Sequence, residues 1–339
     1  MKDKFEQSTY LSQVRKLRSL AFDALKEFPV KKYTLKFINH GENTTFKVIP
    51  KKQNFLLRIH CRSHRTKAAF LEELKWLDSL SRKTKIKVQK PVRSKSGKLI
   101  IHIGNEKVGH SRFCDLLEWQ DGYMKTKKNP KTFFEVGKLI GELHQNTIKS
   151  KHRLYWDSEG LIGKNATLGG VPALYKDFPR HASKMESLRV LLYKKLKRYE
   201  RRNSNKLSLI HADLHFGNMI WNKGVVQPID FDDCGYGLEL YDLAVTLAQS
   251  SNYFLKVGKK ESSKCKAALL DGYRVHKQLT SEDINILPYL VAVRGLAMLG
   301  WLYERSDNPK IRKHLNEKIS DRIKRIGIDV KQAQFEKYF

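Results

Sequence analysis

Apolar residues recur along this chain with two different periods, and the change of period divides it. Leu11, Val14, Leu17, Leu20 or Ala21, and Ala24 or Leu25 fall three to four apart, which predicts a helix over 8–27 that Phe28-Pro29 ends. Strand-like runs follow at 33–39, 44–49 and 54–60, then a helical pattern over 66–80, then strand-like runs at 85–92, 98–103 and 107–117. A polar stretch, 123–131, leads into a helix marked by Phe133, Val136, Ile140 and Leu143. Residues 151–180 carry Gly, Pro and aromatics with weak periodicity, the pattern of a loop region. Beyond it come a basic amphipathic helix over 181–202, short apolar runs at 207–210 and 225–229, and helical patterns over 238–250, 261–278, 281–305 and 308–325. The pattern predicts an α+β chain of two lobes: a mainly antiparallel sheet in 1–120 and a larger helical lobe in 121–339.

Two short apolar runs of the second lobe each deliver acidic residues. Leu207–Ile210 leads into His211-Ala212-Asp213, with Asn218 five positions after Asp213; Val225–Ile229 leads into Asp230, with Asp232 and Asp233 close behind. Read as strands and the loops after them, they bring two carboxylates and an Asn together. Phosphoryl transfer uses such a set: one Asp orients the attacking hydroxyl and takes its proton, while the Asn and the other Asp hold Mg²⁺ against nucleotide phosphates. Residues 207–247 hold six acids and a single base, Lys223. Such an acidic island draws divalent cations, and Mg²⁺ prefers carboxylate and amide oxygens. The competing account is a polar loop between two core strands.

His211-Ala-Asp213-Leu-His-Phe-Gly-Asn218, Ile229-Asp230-Phe-Asp232-Asp233 and Tyr241-Asp242-Leu-Ala resemble the aminoglycoside phosphotransferase/choline kinase family, over about residues 35–305. The resemblance implies a two-lobed protein-kinase-like fold, ATP and Mg²⁺ as cofactors, Asp213 as catalytic base, Asn218 and Asp230 as metal ligands, and Asp242 fixing the catalytic loop. It also implies that Arg58 stands where protein kinases have a strand lysine and that Glu73 is its helix partner, gripping the nucleotide phosphates. Arg keeps the charge and can bind bidentately, but its geometry differs from that of Lys. The turn His40-Gly41-Glu42-Asn43, before Thr44, stands where backbone N–H groups would cover the phosphates, which marks Asn43 and Thr44 as nucleotide contacts. No G-x-G-x-x-G occurs there. Leu116-Leu117-Glu118-Trp119-Gln120 resembles the interlobe hinge, with backbone groups at Glu118 and Gln120 binding adenine.

Composition narrows the partners. Lys and Arg number 66 against 35 Asp and Glu, a net charge of +31, with basic residues densest at 194–202, 82–98 and the last thirty positions. No such stretch interleaves aromatics as a single-strand-binding face does, so only weak, non-specific nucleic-acid association is expected. No uninterrupted apolar run approaches the roughly 18 residues of a membrane helix, and the N-terminus has no apolar signal region. No membrane association is therefore expected. Cys61, Cys114, Cys234 and Cys265 are scattered and are expected to be reduced, as in a cytoplasmic protein. The expected activity is ATP-dependent transfer to a hydroxyl of a small acceptor (an amino sugar, amino alcohol or homoserine-like compound), with Asp232, Asp233 and Glu239 as an acidic mouth for an amine. ATP and GTP are not distinguished. The alternatives are a protein kinase of the bacterial stress-response type and a basic nucleic-acid-binding or scaffolding protein on a kinase-like fold. Ala212 in place of Arg, the short interval from Asp230 to Tyr241 and the lack of an Ala-Pro-Glu speak against a regulated eukaryotic-type protein kinase.

Overall fold

Thr9 opens the first helix, its hydroxyl accepting the Ser12 N–H, and α1 (Tyr10–Lys26) then buries Leu17, Leu20, Ala21, Ala24 and Leu25 along one stripe. In this computed structural model, residues 5, 7–41, 43–60, 65–148, 154–164, 166, 171–304, 306 and 312–335 are described; Glu42 and Cys61 lie outside them. The chain divides into two units, Met1–Gly122 and Tyr123–Phe339.

The first unit holds β1 (Thr34–His40), β2 (Asn43–Ile49), β3 (Phe55–His60), α2 (Lys67–Lys83), β4 (Pro91–Val92), β5 (Ile101–Ile103) and β6 (Arg112–Glu118). The sheet order is β1-β2-β3-β6-β4, with β5 also on β6, and every pair is antiparallel. Phe46, Val48, Leu57, Ile59, Cys114 and Leu116 pack with the buried stripe of α1 in one core. The last three strands are shorter than their apolar runs predict. Val108, for example, is buried, but its N–H bonds Asn105 in a turn. An apolar residue can fill a core from a turn, and alternation alone does not reveal whether its backbone pairs.

In the second unit α3 (Pro130–Gln145) begins at Asn129, whose side chain accepts the Thr132 N–H. The stretch expected to be loop contains β7 (Leu154–Trp156) and α4 (Ser158–Ile162), elements too short to show a period. Then follow α5 (Pro179–Arg202), β8 (Leu207–Ile210), β9 (Met219–Asn222), β10 (Val225–Pro228), β11 (Gly235–Leu238), α6 (Leu240–Gln249), α7 (Ser251–Arg274), α8 (Ser281–Glu304) and α9 (Leu315–Phe335). Two small sheets result: a β9–β10 hairpin and a three-stranded β7-β11-β8 sheet. Helices α3 and α7 touch backbone to backbone. A Cβ on Gly137 would lie 1.9 Å from the Leu269 carbonyl oxygen, and one on Gly272 would lie 2.0 Å from that of Phe134.

Helix α8 is long and apolar enough to cross a membrane by length and composition, with a window of mean hydropathy 1.5. That qualifies the expectation from uninterrupted runs. Here 78% of that window is buried inside the protein, with Pro288 within the helix, so the apolar surface packs the core.

Candidate active site

The loop after β8 turns sharply, and Ala212 takes a left-handed backbone (φ 65°). Asp242, in the first turn of α6, holds it there: its carboxylate accepts the His211 N–H at 3.0 Å and the Ala212 N–H at 2.7 Å. His144 on α3 reaches the same carboxylate at 2.9 Å through Nε2, and its Nδ1 lies 3.0 Å from the Tyr273 hydroxyl. All these groups are buried, so the strained loop hangs from a rigid polar post. The His211 ring sits 3.1 Å from the Ile229 carbonyl and packs against Phe231.

Asp213 projects from this loop, and each carboxylate oxygen has a partner. Oδ2 accepts Asn218 Nδ2 at 2.9 Å, with His215 Nε2 at 3.4 Å, while Oδ1 is paired with the guanidinium of Arg294 on α8. Burial pushes the Asp213 carboxyl up, but the His215 hydrogen bond and the charge of Arg294 outweigh it and hold the group below the ordinary carboxylate value. Asn218 spends its amide N–H groups on Asp213, which leaves its side-chain oxygen as an acceptor. Its backbone carbonyl accepts the Ile229 N–H at 2.9 Å, which seats Asp230 beside it. Asp230 is exposed and left-handed (φ 63°). Among the described residues no three His, Cys, Asp or Glu side chains cluster as a self-sufficient metal cage. An amide oxygen and a carboxylate on two loops joined by this backbone bond are a donor set that suits Mg²⁺, which keeps waters and takes its remaining ligands from phosphates.

Asp232 and Asp233 are half-buried in the following loop, and the Asp233 carbonyl accepts Trp156 Nε1 at 2.7 Å. Glu239 departs from expectation. It is buried, its carboxylate taken by the Ser208 hydroxyl at 3.0 Å and by Lys277 at 2.9 Å, so it braces β8 against the chain after α7 instead of lining an acidic mouth. Arg294 had not been singled out in the sequence. It is the one charged residue of α8 between Asp283 and Glu304, and a lone Arg inside a buried apolar helix needs a partner.

Within the first unit, Arg58 on β3 is 5% exposed, which excludes a surface strand position. It donates to Glu73 of α2 at 2.6 Å and, through two nitrogens, to Asp115 of β6 at 2.9 and 3.1 Å. His60 Nε2 meets Asp115 at 2.6 Å. Burial raises the Asp115 carboxyl, but the charges of Arg58 and His60 bring it down to about 2. Asp115 and His60 also went unnoticed in the sequence, since cross-strand pairing opposite Arg58 is visible only once the register is known. In the β1–β2 turn, Asn43 meets the His60 ring at 3.1 Å. Thr44 is fully buried with its hydroxyl on His40 at 2.7 Å, so its side chain belongs to the hairpin frame and not to a ligand surface. At the end of β6, the Glu118 N–H is taken by the Lys90 carbonyl and the Trp119 N–H by the Asn54 carbonyl. The Gln120 N–H makes no hydrogen bond among the described residues, and its side chain donates to the Lys87 carbonyl at 2.6 Å.

The model of the phosphotransferase enzyme family matches residues 34–280, a span that includes both the Arg58 cluster and the Asp213 loop. The chain belongs to this family. Amicoumacin kinase of Bacillus subtilis (strain 168) is 25% identical over 298 residues, covering 84% of each chain. Among solved structures, a microcompartment-associated aminopropanol kinase matches with TM-score 0.74 and 22% identity, covering 94% of this chain and 96% of the other. An amicoumacin kinase in complex with AMP-PNP, Ca²⁺ and Ami matches with the same score, identity and coverage. These likenesses establish the protein-kinase-like α+β fold for this family member.

Proposed function

We propose that this phosphotransferase moves the γ-phosphoryl group of ATP to a hydroxyl of a small molecule, with Mg²⁺ as its metal. The observation that carries this reading is Asp213, a partly buried carboxylate held ionised and oriented from both oxygens, with Asn218 bonded to it and Asp230 next in sequence to the Ile229 whose N–H pairs with the Asn218 carbonyl. In that reading the acceptor hydroxyl binds against Asp213, which takes its proton as the oxygen attacks the γ-phosphorus. The new O–P bond forms as the bond to the bridging oxygen breaks, and ADP leaves with that electron pair. Asn218 and Asp230 are the residues that would hold the metal, which would neutralise charge on the phosphates. Arg58, fixed by Glu73 and Asp115, is the candidate phosphate contact, with the Asn43 turn and the Glu118–Gln120 backbone as the nucleotide's other contacts. The small-molecule acceptor is supported by the names of its relatives, which include kinases of amicoumacin and aminopropanol.

The test measures phosphoryl transfer from ATP to a panel of hydroxyl acceptors by wild type and by Asp213→Asn, alongside calorimetric binding of ATP with Mg²⁺. Loss of a general base should lower kcat by about 10²–10⁴-fold. ATP affinity should be nearly intact in Asp213→Asn and strongly reduced in Asp230→Ala. Equal loss of ATP affinity in both variants would refute the division of roles.

A further inference from the structure

The β1–β2 turn carries one glycine where a phosphate-covering loop is expected, and side chains hold it at both ends. At its first end His40 Nδ1 lies 2.7 Å from the Thr44 hydroxyl and Nε2 lies 3.0 Å from the Gln13 side-chain oxygen of α1. Within it the Gly41 N–H bonds the Asn43 carbonyl at 3.0 Å. At its second end the Asn43 side chain meets His60 Nδ1 at 3.1 Å, and the two residues face each other across β2 and β3. His60 lies two positions after Arg58, on the same face of β3. Its other nitrogen, Nε2, reaches Asp115 at 2.6 Å. The same carboxylate takes two nitrogens of Arg58, which it faces across β3 and β6. The His60 ring is buried and stacked on Phe70 of α2, with centroids 4.0 Å apart. A continuous line of side chains, Asn43 to His60 to Asp115 to Arg58, thus crosses three strands of the first unit.

Nε2 of His60 faces a carboxylate and so carries a proton. Nδ1 faces an amide that offers both a donor and an acceptor, so the contact with Asn43 is kept in either state of the ring. In a buried, fully partnered network, moving one member leaves the next unpaired. A glycine-rich loop has to give up conformational freedom to close on its ligand, whereas a turn tied by side chains has given it up already. We propose that His60 is a positioning residue for the nucleotide: it couples the β1–β2 turn to Arg58, so that the N–H groups covering the phosphates and the guanidinium gripping them are set as one unit. The chemical group served is the polyphosphate of a nucleoside di- or triphosphate, not its base or sugar. The proposal rests on the reading that has Arg58 as the phosphate contact, and it adds a residue that itself touches no substrate.

The experiment titrates adenosine, ADP and ATP, each with Mg²⁺, into the full chain by calorimetry and follows ATP-dependent transfer alongside. His60→Leu removes the link and keeps an apolar body on Phe70. Asn43→Ala removes it from the other end, keeps the backbone N–H and leaves Asp115 with both Arg58 and His60. Each should raise the Kd of ATP about tenfold or more, the scale of one lost buried hydrogen bond. Each should raise the Kd of ADP less and leave that of adenosine unchanged. In the kinetics the loss should sit in the KM of ATP and not in that of the acceptor. The double variant should bind ATP no more weakly than the weaker single variant, because both cut the same link. His60→Gln, whose amide donates and accepts, should recover part of the affinity.

A His60 that only stabilises the sheet would weaken adenosine and ATP by the same factor, and that result would overturn the proposal. So would additive losses in the double variant, or an Asn43→Ala protein that binds ATP as wild type does. Should His60→Leu fail to fold, Asn43→Ala carries the test alone. In each of these failures, with Arg58→Ala still losing ATP, the kinase reading stands. A wild-type chain that binds no nucleotide would remove that reading and this inference with it.

Discussion

Asp213 is fixed by one residue near it in sequence and one far from it, and the more distant one is the more informative. Asn218 belongs to the same loop, whereas Arg294 arrives from α8, 81 residues later, and carries Tyr241 on its other amino group at 3.4 Å. Arg294 is therefore a positioning residue for the proposed base. Arg294→Met should lower kcat by about two orders of magnitude while leaving ATP affinity near wild type, because displacing a reacting group by about 1 Å can cost that much. Arg294→Lys should restore part of the loss, since it keeps the charge but not the planar fork. A Met variant with normal kcat would show that Asn218 alone orients the carboxylate.

Arg58 carries a paired consequence. Arg58→Ala should weaken catalysis strongly and cost about 3–5 kcal/mol in denaturant unfolding, because buried Glu73 would be left to Arg65 at 3.4 Å and buried Asp115 to His60. Arg58→Lys should keep part of both. The Asp115 contribution also has a pH signature. Its folded value, about 2, lies below its ordinary value of 3.8, so the stabilisation is full above the ordinary value and is lost as pH falls toward 2. Unfolding measured from pH 5 to pH 2 should show that loss, and Asp115→Asn should flatten it.

The elements that position the site are held by contacts as local as those at the base. Gly137 and Gly272 let α3 and α7 meet at their backbones, and α3 supplies the His144 that supports Asp242. Gly272→Ala should cost about 1–3 kcal/mol of stability by overpacking and should loosen the Asp213 loop, lowering kcat as well. Thermal melts and kinetics on the same preparation check both effects. Most of these elements were legible in the pattern of apolar positions. Most helices and the first three strands fall within a few residues of their expected bounds, because each buries one regular stripe; α7 starts ten residues before its expected start and α9 ends ten residues beyond its expected end. The pairing of Asp213 with Asn218 could also be read, since both lie in one loop. What escaped depends on long-range pairing: Asp115 opposite Arg58, Arg294 against Asp213, the capture of Glu239 by Lys277, and the short β7 and α4, which have no period to detect.

For the chain as a whole, the charge of +31 is the feature the proposed chemistry does not use. Its densest exposed expression is the outer face of α5, where Lys194, Lys197, Arg198, Arg201 and Arg202 border a shallow groove beside Tyr193. A nucleic-acid site would need that charge to meet a row of phosphates and would need aromatic faces for unstacked bases. The only aromatic bordering this groove is Tyr193, whose hydroxyl is bound to Glu159. We therefore expect weak, sequence-independent association. Six or more phosphate contacts would weaken binding about a thousandfold or more between 50 and 200 mM salt, through release of condensed counterions. Anisotropy titrations with duplex DNA, single-stranded DNA and structured RNA, run beside the ATP turnover assay at physiological salt, should show affinities weaker than micromolar and no change in turnover. Tight, structure-selective binding would make the α5 face a functional surface. Stimulation of turnover by one of these polymers would make it, and not a small molecule, the leading acceptor.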